Sequence, residues 1–187
     1  MQEARCMSER THLVTAAELE RFPDDDYRYE LVEGRLIRMS PVGFEHGRIV
    51  ARLIGRLLQH VDTRKLGFIG TVVGFKLRSS PDTVRAPDVA FIRAERVPVE
   101  SLKGFWTGPP DVAIEVLSPD DRPGDVREKA EEYIHHGVPL VVIVDPDTQT
   151  ATIHRRDVAP ETYNREEQLD LSDVVEGFRC SVRTIFA

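Results

Sequence analysis

The sequence has few of the features that mark secreted, zinc-binding or membrane proteins. It contains two cysteines, Cys6 and Cys180, with no CxxC spacing and no histidine cluster beside them, which argues against a zinc site and favours free thiols. No apolar run approaches the ~18 residues needed to span a bilayer. Residues 1–12 also lack the apolar core of a signal peptide. We therefore predict a cytoplasmic protein with no membrane segment.

Basic residues are outnumbered by acidic ones. The chain has 25 basic and 32 acidic residues and a net charge of −7, whereas general nucleic-acid binders are usually basic. Residues 35–65 are an exception, with seven Lys or Arg residues against Glu45 and Asp62, and residues 157–176 are strongly acidic. The basic stretch fits either a phosphate-binding patch or a solvated helix face.

Length and composition indicate one globular domain. The chain has 187 residues and a hydrophobic share of 41%, which is enough to build one substantial core. Thr15 and Glu18 form a capping box that predicts a short helix over residues 15–22. We therefore predict a single domain over residues 15–187 and a disordered segment over residues 1–14.

Periodicity along the chain predicts an α/β fold. Two alternating runs, 28–32 and 35–39, flank Glu33-Gly34 and indicate a β-hairpin. Helical patterns cover residues 43–60, with Gly67 suited to the end of that helix, and 124–136. Strands are predicted at 68–73, 75–78, 84–92, 112–117, 140–146 and 150–156, with a peripheral hairpin in the last 30 residues. This order predicts a sandwich in which helices flank a central mixed β-sheet, with an N-terminal β-hairpin.

Two predicted strands each carry a carboxylate among apolar residues. Asp88 follows Pro87 at a strand entrance, and Glu115 shares one strand face with Asp111 and Ala113. An interior carboxylate is costly unless it is paired or bound to a metal, and sites rich in oxygen suit Mg²⁺ or Mn²⁺. Spacing alone leaves open the alternative that each acid ends at a sheet edge and forms a salt bridge with an arginine.

A family resemblance extends over most of the chain. The segments that carry it, in order, are YELVEGRL, PVGFEHGRIV, VRAPDVAFI, AIEVLSPDDRPGDVREKAEEY and GVPLVVIVDP. They resemble the Uma-two family of restriction-endonuclease-like proteins, within the PD-(D/E)XK nuclease superfamily. The resemblance covers roughly residues 15–157, and the order and number of these short motifs make it specific.

The resemblance implies a metal site on the two strands. Pro87-Asp88 would be the PD element, Glu115 the second acid, and the carbonyl of Val116 the last protein ligand to Mg²⁺ or Mn²⁺. The superfamily lysine would stand at position 117, where this sequence has Leu117. An active nuclease of this type therefore needs a lysine from elsewhere in the chain.

The second helix offers Lys129 as the replacement. Val126, Ala130, Tyr133 and Ile134 mark the buried face of the helix, and Lys129 and Arg127 lie at its opposite borders. The helical wheel cannot choose between the two, but the resemblance implies a relocated catalytic lysine on this helix, and we therefore predict Lys129. The alternative is an exposed i, i+4 pair of Lys129 with Asp125.

Two further residues are candidates for supporting roles. His46 lies on the apolar face of its helix near the start, where a histidine is either a core or capping residue or a partner of a metal-bound water or phosphate. The resemblance also implies a central position for Glu30, which would add a second metal or hold Lys129.

The leading functional hypothesis is hydrolysis of DNA phosphodiester bonds by Asp88, Glu115 and Lys129 with Mg²⁺. The resemblance implies a 5′-phosphate product, and we expect a homodimer because symmetric dimers are the commonest soluble oligomers. The alternative is a weak or inactive nuclease-fold module that binds nucleic acid or a protein, favoured by Leu117 and the acidic balance. A hydrolase acting on a small phosphorylated ligand is a third hypothesis, but no Gly-rich phosphate loop supports it.

Overall fold

The fold is a sandwich of helices and two β-sheets in a computed structural model that describes residues 12–22, 27–100, 103–119 and 121–187. The predicted disorder of residues 1–14 falls mostly outside the described residues. The helices are α1 (Ala16–Leu19), α2 (Phe44–Arg64), α3 (Pro123–His135) and α4 (Arg183–Phe186). The strands are β1 (Arg28–Val32), β2 (Arg35–Met39), β3 (Gly67–Gly70), β4 (Phe75–Arg78), β5 (Thr83–Arg85), β6 (Val89–Arg93), β7 (Trp106–Thr107), β8 (Val112–Val116), β9 (Leu140–Asp145), β10 (Thr150–Arg155), β11 (Val158–Tyr163), β12 (Gln168–Asp170) and β13 (Arg179–Ser181).

Two sheets make up most of the β-structure. The larger has the order β11-β10-β9-β8-β6-β3, and the smaller has the order β2-β1-β5-β4-β7. In the larger sheet β8 and β9 run parallel, while the other neighbours pair antiparallel. The predicted α/β class, with a central mixed sheet, flanking helices and an N-terminal β-hairpin, is confirmed.

The larger sheet is covered on both faces, which explains its apolar strands. Along β8, Val112, Ile114 and Val116 join the core cluster that contains the buried face of α2. Ala113 points the other way, into the cluster that contains Tyr133 of α3. None of the described helices combines the length and the apolar content needed to cross a membrane.

The N-terminal hairpin follows directly from its turn chemistry. Val32 pairs with Arg35, and the two residues between them, Glu33 (φ 50°) and Gly34 (φ 75°), both have positive φ. Two such residues form the type I′ turn, whose twist matches that of the flanking strands. The predicted strand bounds coincide with those of β1 and β2.

The predicted strand 84–92 was wrong, because it is two strands in different sheets. β5 belongs to the smaller sheet and β6 to the larger one, and residues 86–88 connect them. Pro87 has no N–H to give to a ladder, and so regular pairing stops there. The chain therefore crosses from one sheet to the other immediately before Asp88.

The C-terminal segment is part of the core rather than peripheral to it. β12 and β13 pair as a hairpin, as predicted. The residues between and after these two strands, however, belong to the main core cluster. They include Leu171, Val175, Phe178 and Ile185. The weak alternation of the sequence concealed this burial, because half of these residues lie in turns and in α4.

The basic face of α2 holds α4 in place. Arg48 Nη1 donates to the Ala187 carbonyl at 2.8 Å, and Arg56 Nη2 donates to the Thr184 carbonyl at 2.9 Å. Arg48 also pairs with Glu45. Two of the seven basic residues of the predicted stretch therefore make intramolecular contacts, and whether the stretch binds phosphate stays a prediction.

The end of α2 uses a different residue from the one predicted. Lys65 adopts the left-handed conformation (φ 56°) at the helix end. Gly67 instead begins β3, where an added Cβ would lie 2.0 Å from the Ile92 carbonyl oxygen. Glycine is therefore required at position 67 by the close approach of β6.

The cysteine prediction is tested at one of its two positions. Cys180 is a free cysteine that packs against the main core cluster, and burial raises the pKa of its thiol to about 11. Cys6 lies outside the described residues. The thiol of Cys180 is therefore expected to be less reactive than an exposed thiol.

Candidate active site

One cleft of about 810 Å³ collects the residues that sequence reasoning singled out. Its walls come from the β1–β2 hairpin, the start of α2, the ends of β6 and β8, and the first turns of α3. All six predicted site residues line it: Glu30, His46, Asp88, Glu115, Val116 and Lys129.

Asp88 is fixed at the floor of the cleft. The antiparallel register pairs Val89 with Ile114, so Asp88 falls opposite Glu115 on the neighbouring strand. Asp88 is only 8% exposed, and its Oδ2 accepts a hydrogen bond from the Val116 backbone N–H at 2.8 Å. These contacts hold the carboxylate beside the backbone that carries the predicted carbonyl ligand.

His46 makes the second contact to Asp88. His46 lies in the first turn of α2, and its Nε2 is 3.0 Å from Asp88 Oδ2. The ring is buried, and Nδ1 has no hydrogen-bond partner among residues 12–22, 27–100, 103–119 and 121–187. His46 is thus a buried residue that contacts a predicted metal ligand directly, and its contact to a metal-bound water or a phosphate stays a prediction.

Glu115 is buried and doubly contacted. Its Oε1 accepts a hydrogen bond from the Tyr133 hydroxyl at 2.8 Å and lies 2.8 Å from Lys129 Nζ. Burial raises the pKa of Glu115 to about 7, Asp88 and Glu30 add to the rise, and Lys129 opposes it. This carboxyl group therefore titrates near neutral pH in the absence of a bound cation.

Lys129 reaches the cleft, as predicted. Besides its contact with Glu115, its Nζ lies 3.8 Å from Glu30 Oε1. Burial alone would lower the pKa of Lys129, but the charges of Glu115 and Glu30 outweigh it and raise the pKa. Lys129 forms no ion pair with Asp125 in the described part of the chain.

The other border residue of α3 lies outside the site. Arg127 is 72% exposed and pairs with Glu131 at 3.8 Å. Leu117, at the position where the sequence resemblance would place a lysine, lines the cleft with an apolar side chain. The ammonium group at this site therefore comes from the helix and not from β8.

Three site residues were missed by sequence reasoning. Glu30 Oε2 accepts from Arg85 Nη1 at 2.8 Å, Glu30 Oε1 accepts from the Ala86 N–H at 2.9 Å, and Arg85 Nη2 pairs with Glu132. Arg85 and Glu132 carried no sequence signal, because their partners lie on other elements. Tyr133 was recognised only as a buried residue, and its hydroxyl contact to Glu115 depends on how α3 packs.

A family model described as a putative restriction endonuclease, Uma2, matches residues 16–183. The chain belongs to the Uma2 family. A crystal structure of a putative nuclease belonging to DUF820, from Anabaena variabilis, has the same fold: TM-score 0.81, 21% identity, and coverage of 92% of this chain and 97% of that chain. No curated protein matches the chain. The family that the motifs predicted is confirmed, together with its nuclease-like fold.

The charge at the site of this Uma2-family protein favours a divalent cation. Four carboxylates and two cations meet there: Glu30, Asp88, Glu115, Glu132, Arg85 and Lys129. With every group ionised the formal charge is −2, which one divalent ion would balance. Such a buried excess of one sign is costly unless it is compensated.

The donor atoms at this Uma2-family site also fit a hard cation. Asp88 and Glu115 each use one oxygen for the hydrogen bonds above, and no described residue donates a hydrogen bond to Asp88 Oδ1 or Glu115 Oε2. No three His, Cys, Asp or Glu side chains are grouped as a metal site within the described residues. A metal here would therefore need the two carboxylates, the Val116 carbonyl and water, an all-oxygen set that suits Mg²⁺.

The raised pKa of Glu115 predicts an unusual pH dependence of stability for the metal-free Uma2-family protein. The shift from the ordinary value of 4.5 to about 7 means that the folded chain binds this proton more tightly. This contribution to stability, about 3 kcal/mol, is complete below pH 4.5 and is lost as the pH rises to about 7. In urea unfolding with a chelator present, the free energy of unfolding of Glu115→Gln should increase relative to that of wild type as the pH rises from 4.5 to about 7. Parallel stability profiles for the two proteins would contradict the assignment.

Proposed function

We propose that this protein is a metal-dependent endonuclease that hydrolyses phosphodiester bonds of DNA. The observation that carries the proposal is the meeting of Asp88, Glu115 and Lys129 in one cleft, with Lys129 Nζ 2.8 Å from Glu115. Membership of the Uma2 family and the nuclease-like fold support it.

The two carboxylates would hold the metal with the Val116 carbonyl. A bound Mg²⁺, or Mn²⁺, supplies polarisation of a phosphoryl oxygen and a more acidic water molecule. Hydrogen bonds fix the orientation of both proposed carboxylate ligands: the Val116 N–H and His46 contact Asp88, and the Tyr133 hydroxyl donates to Glu115. Ligands held by such hydrogen bonds need little rearrangement when the ion binds.

Lys129 would act on the attacking water and on the charge that develops around phosphorus. Its ammonium lies 2.8 Å from the buried Glu115 carboxylate, and its side chain is only 21% exposed, so water screens its charge less than at the open surface. The alternative hypothesis of an inactive binding module is favoured by the acidic balance and by Leu117. The ammonium group of Lys129, 2.8 Å from Glu115, weighs against the second of these arguments.

The acidic lining of the cleft implies that substrate binding depends on the metal. Asp121, Asp125 and Glu128 line the side formed by the start of α3. These charges repel a phosphate that approaches without a cation. We also propose a cytoplasmic protein and a homodimer, in which two clefts would act on the two strands of a duplex.

Cleavage of DNA by single variants tests this proposal. Wild type is expected to nick supercoiled plasmid in Mg²⁺ but not in EDTA. Asp88→Ala, Glu115→Ala and Lys129→Ala are each expected to be at least about 100-fold slower, because each removes a group that stabilises the transition state. Glu131→Ala, which changes an exposed acid on the same helix, is the control and should cleave like wild type.

Two outcomes would count against the endonuclease. If wild type cuts and all three variants cut equally well, these residues are not the active site. If wild type binds Mg²⁺ and DNA without cutting, the protein is a binding module of the nuclease fold. Calorimetry with Mg²⁺ and a DNA-binding assay, run beside the cleavage assay, separate these cases.

A further inference from the structure

Two carboxylates compete for the ammonium group of Lys129. Nζ lies 2.8 Å from Glu115 Oε1 and 3.8 Å from Glu30 Oε1. Both acids are buried, so each attraction is poorly screened by water. The position of Lys129 therefore depends on how much of the charge of Glu30 is already compensated by other groups.

Arg85 is the group that compensates Glu30. Its Nη1 donates to Glu30 Oε2 at 2.8 Å, in a pair whose side chains are almost fully buried. The other end of the guanidinium, Nη2, pairs with Glu132 on α3, the helix that carries Lys129. Arg85 thus touches neither Glu115 nor Asp88, yet it sets the charge that faces Lys129 from the smaller sheet.

We infer that Arg85 is a positioning residue, which neutralises Glu30 so that the Lys129 ammonium is held at Glu115 and not drawn to Glu30. The inference rests on the proposed function only for its kinetic consequence. Without Arg85, Glu30 would lose its closest cation, and the ammonium of Lys129, already 3.8 Å from Glu30 Oε1, would be the nearest remaining positive charge.

Kinetics of three variants test the inference. Arg85→Gln is expected to lower kcat by about 10- to 100-fold with little change in KM, because a displacement of about 1 Å in a catalytic group costs that much. The double variant Glu30→Gln with Arg85→Gln should recover at least tenfold, since the competing charge is gone. Glu132→Gln should lower kcat by clearly less than Arg85→Gln does, because Arg85 still neutralises Glu30.

Crystal structures of the same variants provide a measurement that does not depend on activity. In Arg85→Gln, Lys129 Nζ is expected nearer to Glu30 than to Glu115, and in the double variant it should return to Glu115. If wild type proves inactive as a nuclease, this displacement still decides the role of Arg85. Arg78→Gln, which breaks an exposed pair with Glu33 in the same sheet, is the matched control and should move nothing.

Several results would overturn the inference. They are an unmoved Lys129 in Arg85→Gln, no recovery in the double variant, or a loss in Glu132→Gln as large as that in Arg85→Gln. The last would mean that the bridge merely ties α3 to the smaller sheet. If Arg85→Gln fails to fold, Arg85→Lys is measured instead. Lysine keeps the positive charge but lacks the planar guanidinium that spans two carboxylates. Near wild-type kcat is then expected, and a loss like that predicted for Arg85→Gln would refute charge compensation.

Discussion

Replacing Lys129 with methionine is expected to lower kcat for DNA cleavage by about 100- to 1,000-fold, the usual cost of removing one group that stabilises transition-state charge. Methionine keeps the unbranched apolar stem but lacks the ammonium that lies 2.8 Å from Glu115. Affinity for Mg²⁺ should be unchanged or tighter, because a positive charge next to the proposed metal ligand has been removed.

The matched control for this experiment is Arg127→Met on the same helix. Arg127 is exposed and contacts Glu131, so its loss should leave cleavage and stability near wild type. Steady-state cleavage rates, calorimetry with Mg²⁺ and urea unfolding give the three quantities. If Lys129→Met cleaved DNA at the wild-type rate, the ammonium group at this site would have no catalytic role.

Glu115→Gln is expected to weaken Mg²⁺ binding by at least about 100-fold, since even indirect partners of metal ligands contribute 10- to 100-fold. The amide oxygen can still accept from Tyr133, so the local packing survives. The loss of Mg²⁺ affinity therefore reports on the carboxylate charge of Glu115, which is part of the net negative charge of the cleft. DNA cleavage at saturating Mg²⁺ should fall with it.

The control for charge alone is Glu128→Gln. Glu128 lines the same cleft but is exposed on α3, where solvent screens it. Calorimetry should give a Kd for Mg²⁺ within about twofold of wild type for this variant, because exposed charges contribute little. Equal weakening by Glu115→Gln and Glu128→Gln would mean that the ion is attracted by the general field of the cleft and is not coordinated at Glu115.

Much of the fold could be predicted because its signals are local. The turn at Glu33-Gly34 determines both strands of the hairpin, and the apolar face of α2 gives that helix its position against the sheet. The error at residues 84–92 has a physical reason. Pro87 was recognised as a strand entrance, but a change of sheet depends on which strands are neighbours, and that is decided by the whole chain.

Two carboxylates and the lysine that line the cleft could be predicted from the sequence, whereas the contacts around them could not. Asp88 and Glu115 stand out as charges among apolar residues, and Lys129 sits at the border of a buried helix face. Arg85 and Glu132 look like ordinary surface residues until β5 and α3 are brought together. The roles of all these residues stay predictions until the variants above are measured.

The crossing of the chain between the two sheets limits how the cleft can open. Residues 86–88 tie β5 directly to β6, and Asp88 at the end of this link is hydrogen-bonded to the backbone of β8. The sheets cannot slide past each other here without pulling Asp88 from the Val116 amide. We therefore expect any widening of the entrance to involve the outer parts of the walls, such as the tip of the β1–β2 hairpin and the first turn of α3, more than the floor.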